Sequence, residues 1–396
     1  MLKFSERAIN MQSSPIRKLA PLAAAAKKKG KKVYHLNIGQ PDIHTPKEFF
    51  DAVSNLDMGV LSYVDSQGIP EAINSFRKYY TNWDIHFEED EVYVTNGGSE
   101  ALLFAILAVC DYGDDILMPE PFYTNYNSFT SIAGVNIVSF PTKAEAGFHL
   151  PVKDIITKSI TKKTRAILLS NPGNPTGVVY TKEELYLVAE IAKEYDLFII
   201  ADEVYREFVY DGLKYTSFMH LPEIKDRVIL IDSISKRYSA CGARIGLMAT
   251  KNRELLPLFL KLCQSRLCAS ALDQIGAAAL INTPKEYFAE VLEEYQARRD
   301  VVYNALSNMK GVICQKPTGA FYVVAKLPVE NAEDYVKFLL TDFDVDNETV
   351  MLAPAEGFYS TEGLGKDEVR ISYCLNCEDL KKAMNVIEKG LEAFNK

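Results

Sequence analysis

Short apolar runs rich in β-branched residues alternate with amphipathic stretches along most of this chain. The runs DEVYVTNGG (90–98), DILMPEPFY (115–123), RAILLSNPGNP (165–175), LFIIADEVY (197–205) and RVILIDSISK (227–236) predict buried strands. Between several of them, stretches such as SEALLFAILAVC (99–110) and TKEELYLVAEIAKEY (181–195) carry apolar residues at helical spacing. A strand without polar alternation is buried on both faces, so this rhythm predicts a mainly parallel sheet covered by helices on both sides, a three-layer α/β/α arrangement. From about residue 285 the texture changes. A long charged helix, PKEYFAEVLEEYQARRDVVYNAL (284–306), precedes GAFYVVAKL, a further helix, VMLAPAEGF, EVRISYC and a last helix, the pattern of an α+β domain. The expected organisation is an N-terminal arm (1–14), a large domain (46–284) and a small α+β domain assembled from 15–45 and 285–396.

Composition narrows the function classes. At 396 residues and 48% hydrophobic, the chain can bury the core of two or three domains. A formal charge of -9 argues against a surface for nucleic acid or acidic lipid, both of which require a basic patch. The one basic run, KKKGKK at 27–32, reads as a solvated helix end with Gly30 as its stop. Seven cysteines, an odd number scattered over a long chain, suit a reducing compartment. Cys374 and Cys377 form a CxxC that lacks a second pair and follows a strand, so no metal or redox site is expected there. No signal-peptide core opens the sequence and no apolar run is long enough for a membrane span, so the expected location is cytoplasmic.

In open α/β sheets ligands bind at the carboxyl ends of the strands. After EVYVT come Asn96, Gly97, Gly98, Ser99 and Glu100, then an apolar helix whose first N–H groups would favour a phosphate. By itself that pattern also describes a plain turn and cap. After AILLS comes NPGNPTG (171–177), whose prolines impose a rigid extended turn able to aim Asn174 at a ligand. After LFIIA comes Asp202, a carboxylate that is costly to bury unless it meets a cation or a proton donor. Tyr205 follows three residues later. After RVILID comes SISKRYSACGARIGL (233–247), with Lys236 directly before Arg237 and eight residues before Arg244. Ser233 offers a hydroxyl and Arg244 a planar fork to a phosphate, and an amine near such cations becomes a usable nucleophile. An amine, a phosphate cradle and an aspartate aimed at a buried partner together suit pyridoxal phosphate, with Lys236 as the Schiff-base lysine and Asp202 on the pyridinium nitrogen.

These motifs, with LNIGQPDIHTP (36–46), YVDSQGIPEA (63–72) and VRISY (369–373), resemble in order and spacing the fold type I pyridoxal-phosphate enzymes of the class I/II aminotransferase family, which includes aspartate aminotransferases. The resemblance covers nearly the whole chain. It implies that Ser99 and the backbone of Gly98 to Glu100 hold the phosphate with Ser233 and Arg244, and that Tyr123 stacks on the pyridine ring. It implies that Asn174 and Tyr205 bond the phenolic oxygen and that Tyr63 reaches the phosphate of a second subunit in a homodimer. Arg370 would clamp the substrate α-carboxylate, helped by Asn174 and the backbone of Ile38 and Gly39. The implied reaction is a ping-pong transamination in which Lys236 moves the Cα proton.

Aspartate with 2-oxoglutarate is the expected substrate pair, because the overall pattern is nearest to that group. Members that take aspartate usually present a cation to its side chain, and one bacterial subgroup has a lysine where this chain has Ser99. Arg17 and Arg237 are the candidates here, and neither matches a clamp of the family. The tyrosine-rich texture (Tyr63, Tyr123, Tyr126, Tyr359) also suits aromatic or neutral substrates, and a β-lyase on the same scaffold is a further alternative. Trp83 is expected to be packing.

Overall fold

The computed structural model describes residues 2–396. Its centre is a seven-stranded sheet running, from edge to edge, through Val92–Thr95, Gly246–Thr250, Val228–Ser233, Phe198–Asp202, Thr164–Ser170, Asp115–Glu120 and Asn136–Pro141. Gly246–Thr250 runs antiparallel to both of its neighbours, and the other pairings are parallel. The five apolar runs therefore form strands as expected, and their carboxyl ends lie along one edge of the sheet. Two strands escaped the periodicity: Asn136–Pro141 is a half-exposed edge strand, and GLMAT at 246–250 is too short to stand apart from the glycine-rich turn before it.

Helices cover both faces. Lys182–Glu194 shows how local sequence sets an element: Thr181 accepts from the N–H of Glu184, whose carboxylate returns to the N–H of Thr181, closing a capping box. Its buried stripe, Leu185, Val188, Ala189, Ile191 and Ala192, packs on the sheet, at roughly 1.5–3 kcal/mol for each larger apolar side chain removed from water. Gly97–Val109 is apolar almost all round because it lies between the sheet and the helix Leu256–Ser265.

A separate apolar cluster unites residues 19–36 with the C-terminal segment. Lys32–His35 pairs in parallel with Glu348–Met351. A three-stranded antiparallel sheet places Glu368–Ser372 between Ala353–Pro354 and Tyr322–Lys326. Ser372 donates its N–H to the Leu36 carbonyl and its hydroxyl to that of Ile38, which draws residues 36–39 toward Arg370. Within this cluster Phe321 packs edge-on against Tyr205 and Phe208, which follow the end of the strand Phe198–Asp202. Trp83 packs edge-on against Tyr215, as expected. Among the described residues no helix is long and apolar enough to cross a membrane, and no group of three or more side chains is placed to hold a metal ion. The cysteines, including Cys374 and Cys377, are unpaired.

Candidate active site

A pocket of about 520 Å³ opens where the strand ends meet the C-terminal sheet. Of the residues to which the resemblance assigns a cofactor or substrate role, Ile38, Gly39, Gly98, Ser99, Tyr123, Asn174, Asp202, Tyr205, Ser233, Lys236, Arg244 and Arg370 line it. Two do not. Glu100 turns its carboxylate back onto the N–H and amide of Asn96 and onto Arg266, so it braces the helix start from outside. Tyr63 lies 80% exposed on a separate surface of the chain.

Lys236 sits on a single helical turn, Ile234–Arg237, that starts directly from a strand end and is capped by the Ser233 hydroxyl. Its ammonium donates to the Gly39 carbonyl at 2.9 Å and lies 3.9 Å from Cys241 Sγ. The start of the helix Gly97–Val109 faces the same space, and Arg244 closes over it. Gly97 has φ +73°, and a Cβ there would collide with the Arg244 guanidinium. A Cβ on Gly246 would lie 2.5 Å from the Gly97 carbonyl carbon. Glycine at these two positions thus allows the 244–246 turn to pack on the helix start, concentrating backbone N–H groups, the Ser233 and Ser235 hydroxyls and one guanidinium in an anion cradle.

Asp202 ends its strand beneath the pocket and is buried. It accepts from the Tyr126 hydroxyl at 2.8 Å and, more loosely, from the Val204 N–H, and among the described residues it pairs with no cation. Burial raises its pKa from 3.8 to about 6, more than the two hydrogen bonds lower it. A buried carboxylate with no cationic partner, facing a cavity, fits a ligand that brings a protonated ring nitrogen. Cradle, carboxylate and amine therefore suit the phosphate, ring nitrogen and aldehyde carbon of pyridoxal phosphate.

Across the pocket, Arg370 is buried with its guanidinium over the rings of Tyr322 and Phe358, at 4.5 and 5.2 Å. It donates to Asn174 Oδ1 at 3.1 Å and to the Asn37 carbonyl at 2.5 Å, while its Nε has no partner. A fork held this way presents its remaining N–H groups to a carboxylate. The Tyr205 hydroxyl shares a 2.9 Å hydrogen bond with that of Tyr322. Burial pushes both phenols above their usual pKa. Tyr123 accepts from Asn125 at 2.9 Å and packs edge-on against Tyr126.

Arg237 is not in the pocket. It points to the opposite side of its helical turn, where it pairs with Asp232 at 2.6 Å and lies under the Tyr79 ring. Arg17 does line the pocket. Sequence reasoning passed over Tyr322, Ser235, Cys241, Gln40 and Asn125 as lining residues, and Tyr126 as the partner of Asp202. The cap at Ser233-x-Ser235 was a usable signal for one of them.

Comparison with known proteins agrees with this geometry over the whole chain. Residues 31–387 match the model of the family described as aminotransferase class I and II. A probable aspartate aminotransferase of Methanocaldococcus jannaschii is 33% identical over 98% of this chain and all of that protein. The aspartate aminotransferase of Bacillus subtilis is 29% identical over 99% of both. Among solved structures, an alanine aminotransferase from Pyrococcus furiosus superposes with a TM-score of 0.90 at 32% identity, over 99% of this chain and all of the other. The chain belongs to the class I and II aminotransferases, enzymes of the pyridoxal-phosphate fold, and is itself an aminotransferase.

Proposed function

We propose that this aminotransferase exchanges the amino groups of L-aspartate and 2-oxoglutarate, and that it works as a homodimer. The observation that carries the site assignment is the placement of Lys236, Asp202 and Arg370 around one pocket, each buried or lining and each suited to a different part of one bound pair. The choice of aspartate is supported by the full-length relatives that bear that name, at about 30% identity.

In this reading Arg244, Ser233, Ser235, Ser99 and the Gly98 N–H hold the phosphate, Tyr123 packs against the ring, and Asn174 and Tyr205 donate toward its phenolic oxygen. The bound cofactor supplies an electron sink for the bond broken at Cα. Asp202 keeps the ring nitrogen protonated by giving it a buried counter-charge. Arg370 and Asn174 fix the α-carboxylate and so present the Cα hydrogen to Lys236. Lys236 would take that proton as a neutral amine and return it two bonds away, on the far side of the nitrogen that substrate and cofactor share, both positions lying within reach of its flexible stem. The small domain, 15–45 and 285–396, carries Arg370 and moves against the large domain, 46–284, to exclude water.

Assembly is supported by the exposed apolar stretch Met58, Val60, Leu61 and Tyr63, an unusual density for a free surface. There Tyr63 would serve the neighbouring subunit's phosphate site. A neutral amino donor is the second reading, favoured by the likeness to an alanine aminotransferase and by the aromatic lining of the pocket. A spectral screen of single half-reactions with the twenty amino acids separates the two. Aspartate and glutamate should convert the enzyme fastest, and a preference for alanine or aromatic residues would replace the first reading by the second.

A further inference from the structure

Lys236 takes its direction from a very short element. The turn Ile234–Arg237 has four residues, capped by the Ser233 hydroxyl and closed by a 3.3 Å hydrogen bond from the Tyr238 N–H to the Ile234 carbonyl. A single helical turn is costly to nucleate by itself, so its orientation is set by what lies around it.

Asp232 stands just before the turn, Arg237 ends it, and both are buried. One carboxylate oxygen of Asp232 accepts from the Ser233 N–H at 2.6 Å. The other accepts from Arg237 Nη1 and from the Tyr80 hydroxyl, each at 2.6 Å. The same Nη1 donates to the Ser233 carbonyl at 3.3 Å. The carboxylate thus staples the two ends of the turn together and ties them to the helix Pro70–Thr81, whose Tyr79 ring lies 4.0 Å from the Arg237 guanidinium. A second buried pair, Glu203 with Arg206, serves the neighbouring strand end: Glu203 directly follows Asp202, and the Arg206 guanidinium lies 4.5 Å from the Tyr80 ring. Lys236 and Asp202 are therefore both referenced to one pair of tyrosines, from behind the pocket.

A buried ion pair is a poor way to stabilise a fold, because desolvation offsets its attraction, and here Arg237 Nε is left without a partner. What the pair provides that apolar packing would not is a fixed direction. We infer that Arg237, acting through Asp232, is a positioning residue for the Lys236 amine: it sets the line along which the amine enters the pocket, and through that the rate of proton movement at Cα, without itself reaching the pocket. This rests on the role of Lys236 proposed above. A misplacement of about 1 Å at a reacting atom can cost on the order of a hundredfold in rate, so loosening the staple should be visible in the chemical step.

The test uses Arg237→Gln, Arg237→Lys and the double variant Asp232→Asn/Arg237→Leu, which leaves no buried charge stranded. Each is made in the parent and in Lys236→Ala, the latter loaded with cofactor and supplied with saturating methylamine as a free proton carrier. In the parent, Arg237→Gln and the double variant should slow the single half-reaction by roughly ten- to hundredfold with KM within about threefold, and Arg237→Lys should recover part of the loss. In methylamine-supplied Lys236→Ala the same changes should alter the rate by less than about twofold, because no tethered amine is left to aim. In the cofactor-free proteins, hydrogen exchange should quicken at residues 235–239 in Arg237→Gln and the double variant, while the strand 228–231 keeps the parent's protection. Equal losses with and without Lys236, or a double variant that reacts at the parent's rate, overturns the role of Arg237 alone. Lys236→Ala that turns over near the parent's rate without methylamine overturns the reading of Lys236, and this role with it.

Discussion

Replacing Asp202 by Asn asks whether its carboxylate is kept in place for a cationic ligand. Folding raises its pKa from 3.8 to about 6, so at 1.36 kcal/mol per unit the ionised native group costs roughly 3 kcal/mol relative to the unfolded chain. A raised carboxyl is neutral in both states below about pH 3 and costs almost nothing there. Its cost grows as pH climbs toward 6 and is complete above it. Between pH 4.5 and 7.5 the cofactor-free parent should therefore lose about 2 kcal/mol of stability that cofactor-free Asp202→Asn retains. Any hydrogen bond altered by the amide shifts both pH values alike. Saturating pyridoxal phosphate should reverse the order, because its ring nitrogen pairs with the parent's carboxylate and only weakly with an amide. Urea unfolding of both proteins, with and without cofactor, at matched protein concentration gives all the terms. Parallel pH profiles for the two cofactor-free proteins would refute the buried-charge reasoning, and equal cofactor stabilisation would refute the pairing.

The remaining predictions concern the cradle and the clamp. Gly97→Ala forces a side chain into a left-handed backbone and against Arg244, so cofactor affinity should fall at least tenfold in a fluorescence titration, with the unfolding midpoint changed far less. Arg370→Lys replaces a planar fork by a point charge, so half-reactions with an amino acid should slow by roughly a hundredfold, whereas those with its decarboxylated amine should barely change; an equal loss for both would make Arg370 a support of the fold.

The strand ends made much of this site legible. Each apolar run that stops at a polar residue marks where the sheet meets the pocket, and Asn174, Asp202, Ser233 and Lys236 all stand just there. What stayed hidden depended on direction and on long-range register. Tyr322 sits inside an apolar strand and reads as core. It reaches the pocket because its strand pairs it with Ser372 and two of its neighbours with Arg370 and Ile371, which aims its ring under the guanidinium. Arg237 shows the opposite error. Adjacency to Lys236 suggests a shared site, yet consecutive residues of a helical turn point about 100° apart, and Asp232 takes Arg237 away. Glu100 turns its carboxylate back to Asn96, four residues earlier, so only its backbone is left for the cradle. The partner of Asp202 is Tyr126, 76 residues distant, which no local pattern encodes.

The central claim is that Lys236 is the amine joined to the cofactor. Reducing the loaded enzyme with borohydride and mapping the modified peptide by mass tests it directly. The pyridoxyl mass should appear on Lys236 alone, and Lys236→Ala, loaded and reduced in the same way, should carry no label and show no half-reaction. A label on any other lysine of the parent, or turnover near the parent's in Lys236→Ala, would contradict the account.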